Sequence, residues 1–276
     1  LYAAEPRFWA RWQPFKGFAL KGSAGLYSQP PESTDMEAEP FGTPTLHHEW
    51  AFQTSVGVEQ KITDVINVDL TGFFNRRYDR VVAPGLTTND ENGLSHTDRF
   101  GNLGLGRAYG LELLLKHEIT KDFFGWLAYT LSRTEQRRVG AKDYLLGGFD
   151  QTHILTAVGS YRLPHGWEIG ARFRYVTGRP YAHVVHSYDV VSEDTTGFSC
   201  QREPAGSSRF PGFNQLDIRI DRSWLFDNFT LDVYADVQNV YNAQNIETYF
   251  TDYRCRDEIP VPGIPVLPVL GVKGTF

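Results

Sequence analysis

No apolar run in the chain reaches the roughly 18 residues that a membrane-spanning helix requires, so a helical membrane protein is excluded. Basic residues are not in excess: 27 Lys and Arg stand against 33 Asp and Glu, for a formal charge of -6. Without a basic cluster there is no electrostatic footprint for nucleic acid. Cysteine is scarce. Cys200 and Cys255 are too few for a disulfide scaffold but suffice for one bridge in an oxidising compartment. A single Met rules out a Met-rich groove. The chain also starts at Leu1 without a leader-like segment, so a processed or longer start is expected.

What the sequence has in quantity is aromatic residues, at 14%, beside a mean hydropathy of -0.36. That combination suits strands that alternate between lipid and water and carry aromatic girdles at both membrane interfaces. Helical periodicity is slight, and period-two alternation recurs. Over 167–175, Trp167, Ile169, Ala171, Phe173 and Tyr175 oppose Glu168, Gly170, Arg172 and Arg174. Over 215–221, Leu216, Ile218 and Ile220 oppose Gln215, Asp217, Arg219 and Asp221, and 229–238 sets Phe229, Leu231, Val233, Ala235 and Val237 against Asp232 and Asp236. Segment 109–118 places Tyr109, Leu111, Leu113 and Leu115 opposite Glu112, Lys116 and Glu118. Weaker alternation runs through 7–13, 18–27, 49–60, 66–75, 123–132, 153–163 and 267–276.

The segments are about as long as a tilted crossing of the bilayer, roughly 9–11 residues. Between them, short turns alternate with long loops, the pattern of periplasmic turns and external loops in outer-membrane barrels. The expected fold is therefore all-β: an antiparallel up-and-down transmembrane β-barrel wall of about ten strands. An even count puts both chain ends at the periplasmic edge. A soluble barrel or sandwich would alternate as well, but the aromatic load, the loop parity and the strand length favour the membrane wall.

Several stretches resemble wall segments of TonB-dependent outer-membrane receptors. They are Gly25–Pro31, Tyr109–Glu118, Tyr129–Arg133, Asp150–His153, Phe173–Tyr181, Gln215–Arg219 and Asp236–Asn242. The closing Gly271–Phe276 is similar to the terminal strand of outer-membrane proteins, with Leu270, Val272 and Phe276 on one face as a signal for the barrel-assembly machinery. The resemblance implies a 22-stranded barrel filled by an N-terminal plug. With about ten strands, no plug and no TonB-contacting segment, residues 1–276 are expected to be the C-terminal β-barrel portion of such a receptor in the outer membrane. The implied function is uptake of a scarce solute, a ferric siderophore, cobalamin or glycan, without catalysis or cofactor. Implied partners are outer-membrane lipid, the TonB complex through a missing N-terminal region, and an unidentified small-molecule ligand. The alternative is a small self-contained barrel acting as a pore or a rim-site hydrolase, with His153 and Asp150, or His183 and His186 with Asp189, as candidates.

Candidate sites follow from the same face assignment. Glu112, Lys116, Glu168, Arg172, Arg174, Asp217, Arg219, Asp221, Asp232 and Asp236 form the lumen-facing polar wall. Phe8, Trp12, Tyr161, Trp167, Tyr175 and Phe229 read as girdle anchors. Cys200 and Cys255 both fall on long loops, where a disulfide would staple them. His47, His48, His96, His183 and His186 lie near the outer rim without metal-site spacing. Tyr181, Tyr188, Phe198, Phe210, Tyr249 and Tyr253 are rim aromatics able to grip an organic ligand or simply to pack.

Overall fold

The computed structural model describes residues 2–37, 42–82, 87–89, 95–97, 100–138, 140–191, 196–204, 206–252, 254 and 256–276. For 87–89, 95–97, 138, 186–191 and 196–200 it describes the backbone alone. Eleven strands follow one another along a single antiparallel path in chain order. They are β1 (Arg7–Phe15), β2 (Phe18–Gln29), β3 (Glu49–Lys61), β4 (Ile66–Val82), β5 (Gly101–His117), β6 (Phe123–Arg138), β7 (His153–Leu163), β8 (Trp167–Val176), β9 (Phe213–Leu225), β10 (Thr230–Gln238) and β11 (Leu267–Thr275). A two-residue strand, Leu145–Leu146, adds to β6. Among the described residues no pairing joins β1 to β11. The count accords with the expectation of about ten, but its parity corrects the expected position of the chain ends. Eleven is odd, so the chain enters β1 at the long-loop end and leaves β11 at the short-turn end, rather than having both ends at one edge.

Contacts group the chain into two units: 1–58, 71–111 and 132–150 in the first, and 59–70, 112–131 and 151–276 in the second. In the first, β1 pairs with β2 from Arg7↔Gly25 to Phe15↔Phe18. The second contains the most regular ladder. Ten consecutive pairs join β7 to β8, from Ile154↔Val176 to Leu163↔Trp167, and ten more join β8 to β9. Period-two geometry then keeps Glu168, Arg172 and Arg174 on one face with Gln215, Asp217, Arg219 and Asp221. The opposite face carries Tyr161, Trp167, Ile169 and Tyr175, each 39–47% exposed, and Leu270 and Val272, 82% and 72% exposed. A sheet face this apolar and this open needs hydrocarbon as its solvent.

Short turns are made by their own side chains. Thr63 Oγ1 accepts from the backbone N–H groups of Val65 (3.3 Å) and Ile66 (3.0 Å). Thr120 Oγ1 donates to Phe123 O (2.9 Å) and accepts from Phe123 N–H (3.1 Å). These are the local hydroxyl–backbone bonds that favour turns. At the end of the last turn, Phe229 stacks on Phe226 (centroids 4.5 Å apart) and on Phe276 (5.9 Å), which anchors the terminal aromatic.

The strands outrun the alternation read from the sequence. β4 and β5 are 17 residues long and β6 is 16, against the 9–11 that a crossing needs. The surplus lies at the long-loop end, where Asn75–Arg80 and Arg133–Arg138 are polar on both faces. The long connections are not plain loops either. Among them are the ribbons Pro180–Tyr181 with Ser208–Arg209, Val184–Val191 with Thr196–Arg202, and Ile246–Thr251 with Glu258–Pro262.

Candidate functional site

The polar face of β7–β11 is a connected ionic wall. Arg172 Nε and Nη2 donate to Asp217 Oδ2 at 2.8 and 2.6 Å. Asp217, 7% exposed, also accepts from Gln215 Nε2 (2.7 Å) and from the backbone N–H of Asn239 (2.9 Å). Arg219 grips Asp221 through Nε and Nη2 and lies 3.9 Å over the Tyr234 ring. Glu168 accepts from Ser160 Oγ and Arg162 Nε, and Ser223 donates to Asp232 (2.6 Å). Two hollows of about 380 and 570 Å³ open on this face, lined in part by Arg172, Asp217, Arg219, Asp221 and Asp236. Of the remaining wall residues, Arg174 covers the Phe213 ring at 5.5 Å, Lys116 pairs with Glu118 at 3.2 Å, Asp236 stands opposite Arg219 in the ladder, and Glu112 is exposed.

A second assembly is built by the connecting segments of the second unit. Gly178 permits it: a Cβ there would lie 1.7 Å from Phe210 O, so only glycine lets the 177–179 backbone pass Phe210. The Phe210 N–H bonds Arg179 O at 3.0 Å, and the Tyr181 ring lies 4.5 Å from Phe210 and 5.1 Å from Tyr249. Phe210 stacks on Tyr249 at 5.4 Å and carries the Arg179 guanidinium at 4.7 Å, while His183 meets Tyr181 edge-on at 4.9 Å.

Glu258 ties this cluster together. One oxygen accepts from Tyr181 Oη (2.8 Å) and the Val184 N–H (3.0 Å), and the other meets His183 Nδ1 at 2.6 Å. Arg202 bonds Tyr181 Oη (3.3 Å), Ala182 O (3.0 Å) and Thr251 Oγ1 (3.2 Å). Burial disfavours the Glu258 charge, but the bonds from His183, Tyr181 and Val184 outweigh it and hold the carboxyl below its ordinary value. Burial and the Glu258 carboxylate push the Tyr181 phenol up, against Arg202. The cluster therefore combines two tyrosine rings packed on the buried Phe210 with the guanidiniums of Arg179 and Arg202 and the Glu258 carboxylate.

A depressed carboxyl stabilises the fold above the ordinary carboxylate range, about 4.3, and that stabilisation is lost as pH falls through its folded value. Acidification below about pH 4 is therefore expected to loosen the Tyr181–Glu258 cluster. Hydrogen exchange at the Val184 amide, corrected for intrinsic rate, should rise there in the natural protein. In Glu258→Gln that step should be absent; its persistence in the variant would mean another group controls the cluster.

Of the rim aromatics singled out by sequence, Tyr181, Phe210 and Tyr249 come together here with His183. The side chains of Tyr188 and Phe198, and Tyr253, lie outside the described residues, as do the side chains of His96, His186 and Asp189. The Cys200–Cys255 pair also lies outside them: Cys200 is described only in its backbone, opposite Ser187, and Cys255 not at all. His47 bonds the neighbouring His48 carbonyl, and His153 Nδ1 bonds Tyr129 Oη at 2.8 Å, while Asp150 accepts the Thr134 N–H. Among the described residues no three His, Cys, Asp or Glu side chains converge to hold a metal ion. Sequence reasoning missed Glu258, Asn239 and Asn245, whose partners are far away in the chain. The Asp236–Asn242 string held a signal for Asn239, because Asn suits the left-handed turn observed at Asn239 and Asn242 (φ 52° at both).

An apolar sheet face, a salt-bridged polar face, short turns at one end and structured connections at the other define the wall of an outer-membrane β-barrel. The sequence profile of the TonB dependent receptor-like β-barrel matches residues 3–240, and the chain belongs to that family, whose members are outer-membrane proteins of Gram-negative bacteria. No curated protein matches the chain in sequence. Among solved structures it is similar to the FrpB iron transporter of Neisseria meningitidis, with 18% identity and a TM-score of 0.62 over 98% of this chain and 38% of that one. It is similar also to the ferripyoverdine receptor of Pseudomonas aeruginosa, with 13% identity and a TM-score of 0.67 over 98% and 32%. The ferric-catecholate import receptor Fiu of K12 E. coli gives 14% identity and a TM-score of 0.63 over 97% and 34%. The chain thus spans between about a third and two fifths of the length of these relatives.

Proposed function

We propose that residues 1–276 form the C-terminal half of the barrel wall of a TonB-dependent receptor that imports a ferric chelate. The observation that carries this is the cluster on the long connections in which Tyr181, Tyr249 and Arg179 stay partly exposed over the buried Phe210 ring, an aromatic and cationic surface at the end of the wall where ligand arrives. An anionic, aromatic-bearing iron chelate matches it in shape and charge. The iron-transporting relatives favour that ligand class over cobalamin or a glycan. The ionic wall then faces a plug supplied by the upstream chain, through which the TonB complex acts, and Leu270, Val272 and Phe276 are read by the barrel-assembly machinery. Cys200 and Cys255 form the external staple.

Deletion of the full-length gene tests this reading. Uptake of labelled ferric catecholates or hydroxamates should fall, with cobalamin and oligosaccharide uptake unchanged. Uptake unaffected for every iron chelate would overturn it. The face assignment has its own test. In reconstituted protein, brominated acyl chains should quench Trp167 and leave Trp126, which the ladder places on the face of Arg172, unquenched; the reverse would invert the wall.

A further inference from the structure

The apolar face of the first unit ends in arginines that face the same way as its leucines. The Cβ direction of Gly72 points at Leu111, and the Phe74 and Tyr109 rings stack 6.5 Å apart, so β4 and β5 place 72 opposite 111 and 74 opposite 109. Two residues further along each strand, on the same face by alternation, come Arg76 and Arg107. Arg107 Nε bonds Glu135 Oε2 at 2.6 Å, and Arg133 Nε bonds Glu135 Oε1 at 2.8 Å. Tyr144 lies beneath two guanidiniums, Arg107 at 4.1 Å and Arg137 at 4.8 Å, and Arg137 retains a buried Nε without a partner. Arg107 and Arg133 thus share one carboxylate, Arg137 joins them through the Tyr144 ring, and Arg76 stands beside Arg107 by register, so four arginines on this face have one hydrogen-bonded carboxylate among the described residues.

Below the arginines, on the same face, lies a shallow groove of about 450 Å³. It is lined by Val56, Gly72, Phe74, Tyr109 and Leu111 among others. Glycine at 72 leaves the floor of the groove low. Val56 and Leu111 are 69% and 51% exposed. The strands here are long enough to cross the bilayer and continue past it, so the change from leucine to arginine marks the headgroup level on the long-loop side.

From this juxtaposition we infer a lipid site: the groove takes an acyl chain, and Arg76, Arg107, Arg133 and Arg137 take the phosphates of a bisphosphorylated acyl glycolipid of the outer leaflet. Arginine forks bind phosphate bidentately, and neighbouring strands stand about 4.8 Å apart. Cations spread over β4, β5 and β6 therefore span about 10 Å, wider than one phosphate and suited to two on a disaccharide. The inference rests on the outward face being the lipid face, which the quenching experiment tests separately.

The experiment is native mass spectrometry of the full-length protein in mild detergent, titrated with the bisphosphorylated glycolipid, its dephosphorylated form and an anionic glycerophospholipid. The bisphosphorylated lipid should be retained most strongly. Arg76→Gln, whose guanidinium makes no ion pair with a described residue, should weaken it about fivefold, and Arg107→Gln with Arg133→Gln about 25-fold, given the worth of one basic side chain at an anionic surface. Glu135→Gln should retain the lipid at least as well as the natural protein, although it breaks both salt bridges; a purely structural cluster would lose in all three. Equal retention of the dephosphorylated lipid or the glycerophospholipid, unchanged retention in Arg76→Gln, or displacement by millimolar pyrophosphate would overturn the site. If quenching confirms the lipid face while these outcomes occur, the lipid site alone has failed.

Discussion

Replacing Asp217 by Ala should lower the unfolding free energy by about 3–5 kcal/mol, the cost of removing one partner from a buried ionic pair. The estimate starts from Asp217 itself, 7% exposed and accepting from three different groups. Removing it strands the N–H of Asn239, which sits in a residue only 1% exposed. A buried donor without a partner costs about 1–3 kcal/mol. The Arg172 side chain is more than half exposed and can turn to water, so the lower half of the range is expected. Asp217→Asn keeps an acceptor for the Asn239 N–H and should lose about half as much. Urea unfolding, followed by loss of the fast-migrating folded band on unheated gels, measures both. A loss under 1 kcal/mol for Asp217→Ala would show the wall to be water-filled and its ion pairs dispensable.

Asn239→Ala should behave similarly for a different reason. Its side chain accepts from the Ala243 N–H (2.8 Å) and donates to Ala243 O (3.0 Å) and Ile264 O (3.1 Å), closing the turn beyond β10. The left-handed backbone at this position adds about 1 kcal/mol against alanine.

The second large effect is functional. Tyr181→Ala with Tyr249→Ala should cut ferric-chelate uptake at least about fivefold while the unheated gel band stays in place. Two stacking contacts at about 0.5–1.5 kcal/mol each amount to roughly 5- to 150-fold in affinity. The pair lies outside the eleven-strand ladder, so barrel assembly does not depend on it. Phe substitutions at the same positions separate stacking from hydrogen bonding. Tyr181→Phe removes the phenol between Glu258 and Arg202 but keeps the ring, and most uptake should survive. Wild-type uptake in the double alanine variant would remove the cluster from the ligand path.

Much of this was legible in the residues. The alternation at 167–175 and 215–221 placed Glu168, Arg172, Asp217 and Asp221 on the face where the ladder puts them, because a side-chain period of two leaves no other arrangement once one face is apolar. The alternation of short turns with long loops was legible as well, because turns such as those at Thr63 and Thr120 close their bonds within three residues. Strand length was not. Beyond the bilayer both faces meet water, the apolar signal vanishes, and the alternation read over 66–75 stops there although the strand continues to Val82. The ribbons between β8 and β9 and between β10 and β11 were hidden for the same reason.

The amino-acid sequence by itself determined the class of the molecule: strands, their two faces, the end that carries the loops, and the membrane that the apolar face demands. All of that depends on neighbours one or two positions apart and on the solvent each side chain must meet. The tertiary structure alone decided that Tyr181, Phe210, Tyr249 and Glu258 form one cluster. It alone decided that Asp217 caps Asn239, and that Arg107 and Arg133 share Glu135. Apart from Arg133 and Glu135, which are neighbours on one face of β6, those contacts join residues at least 22 positions apart, and only strand register and the path of the connections bring them within reach.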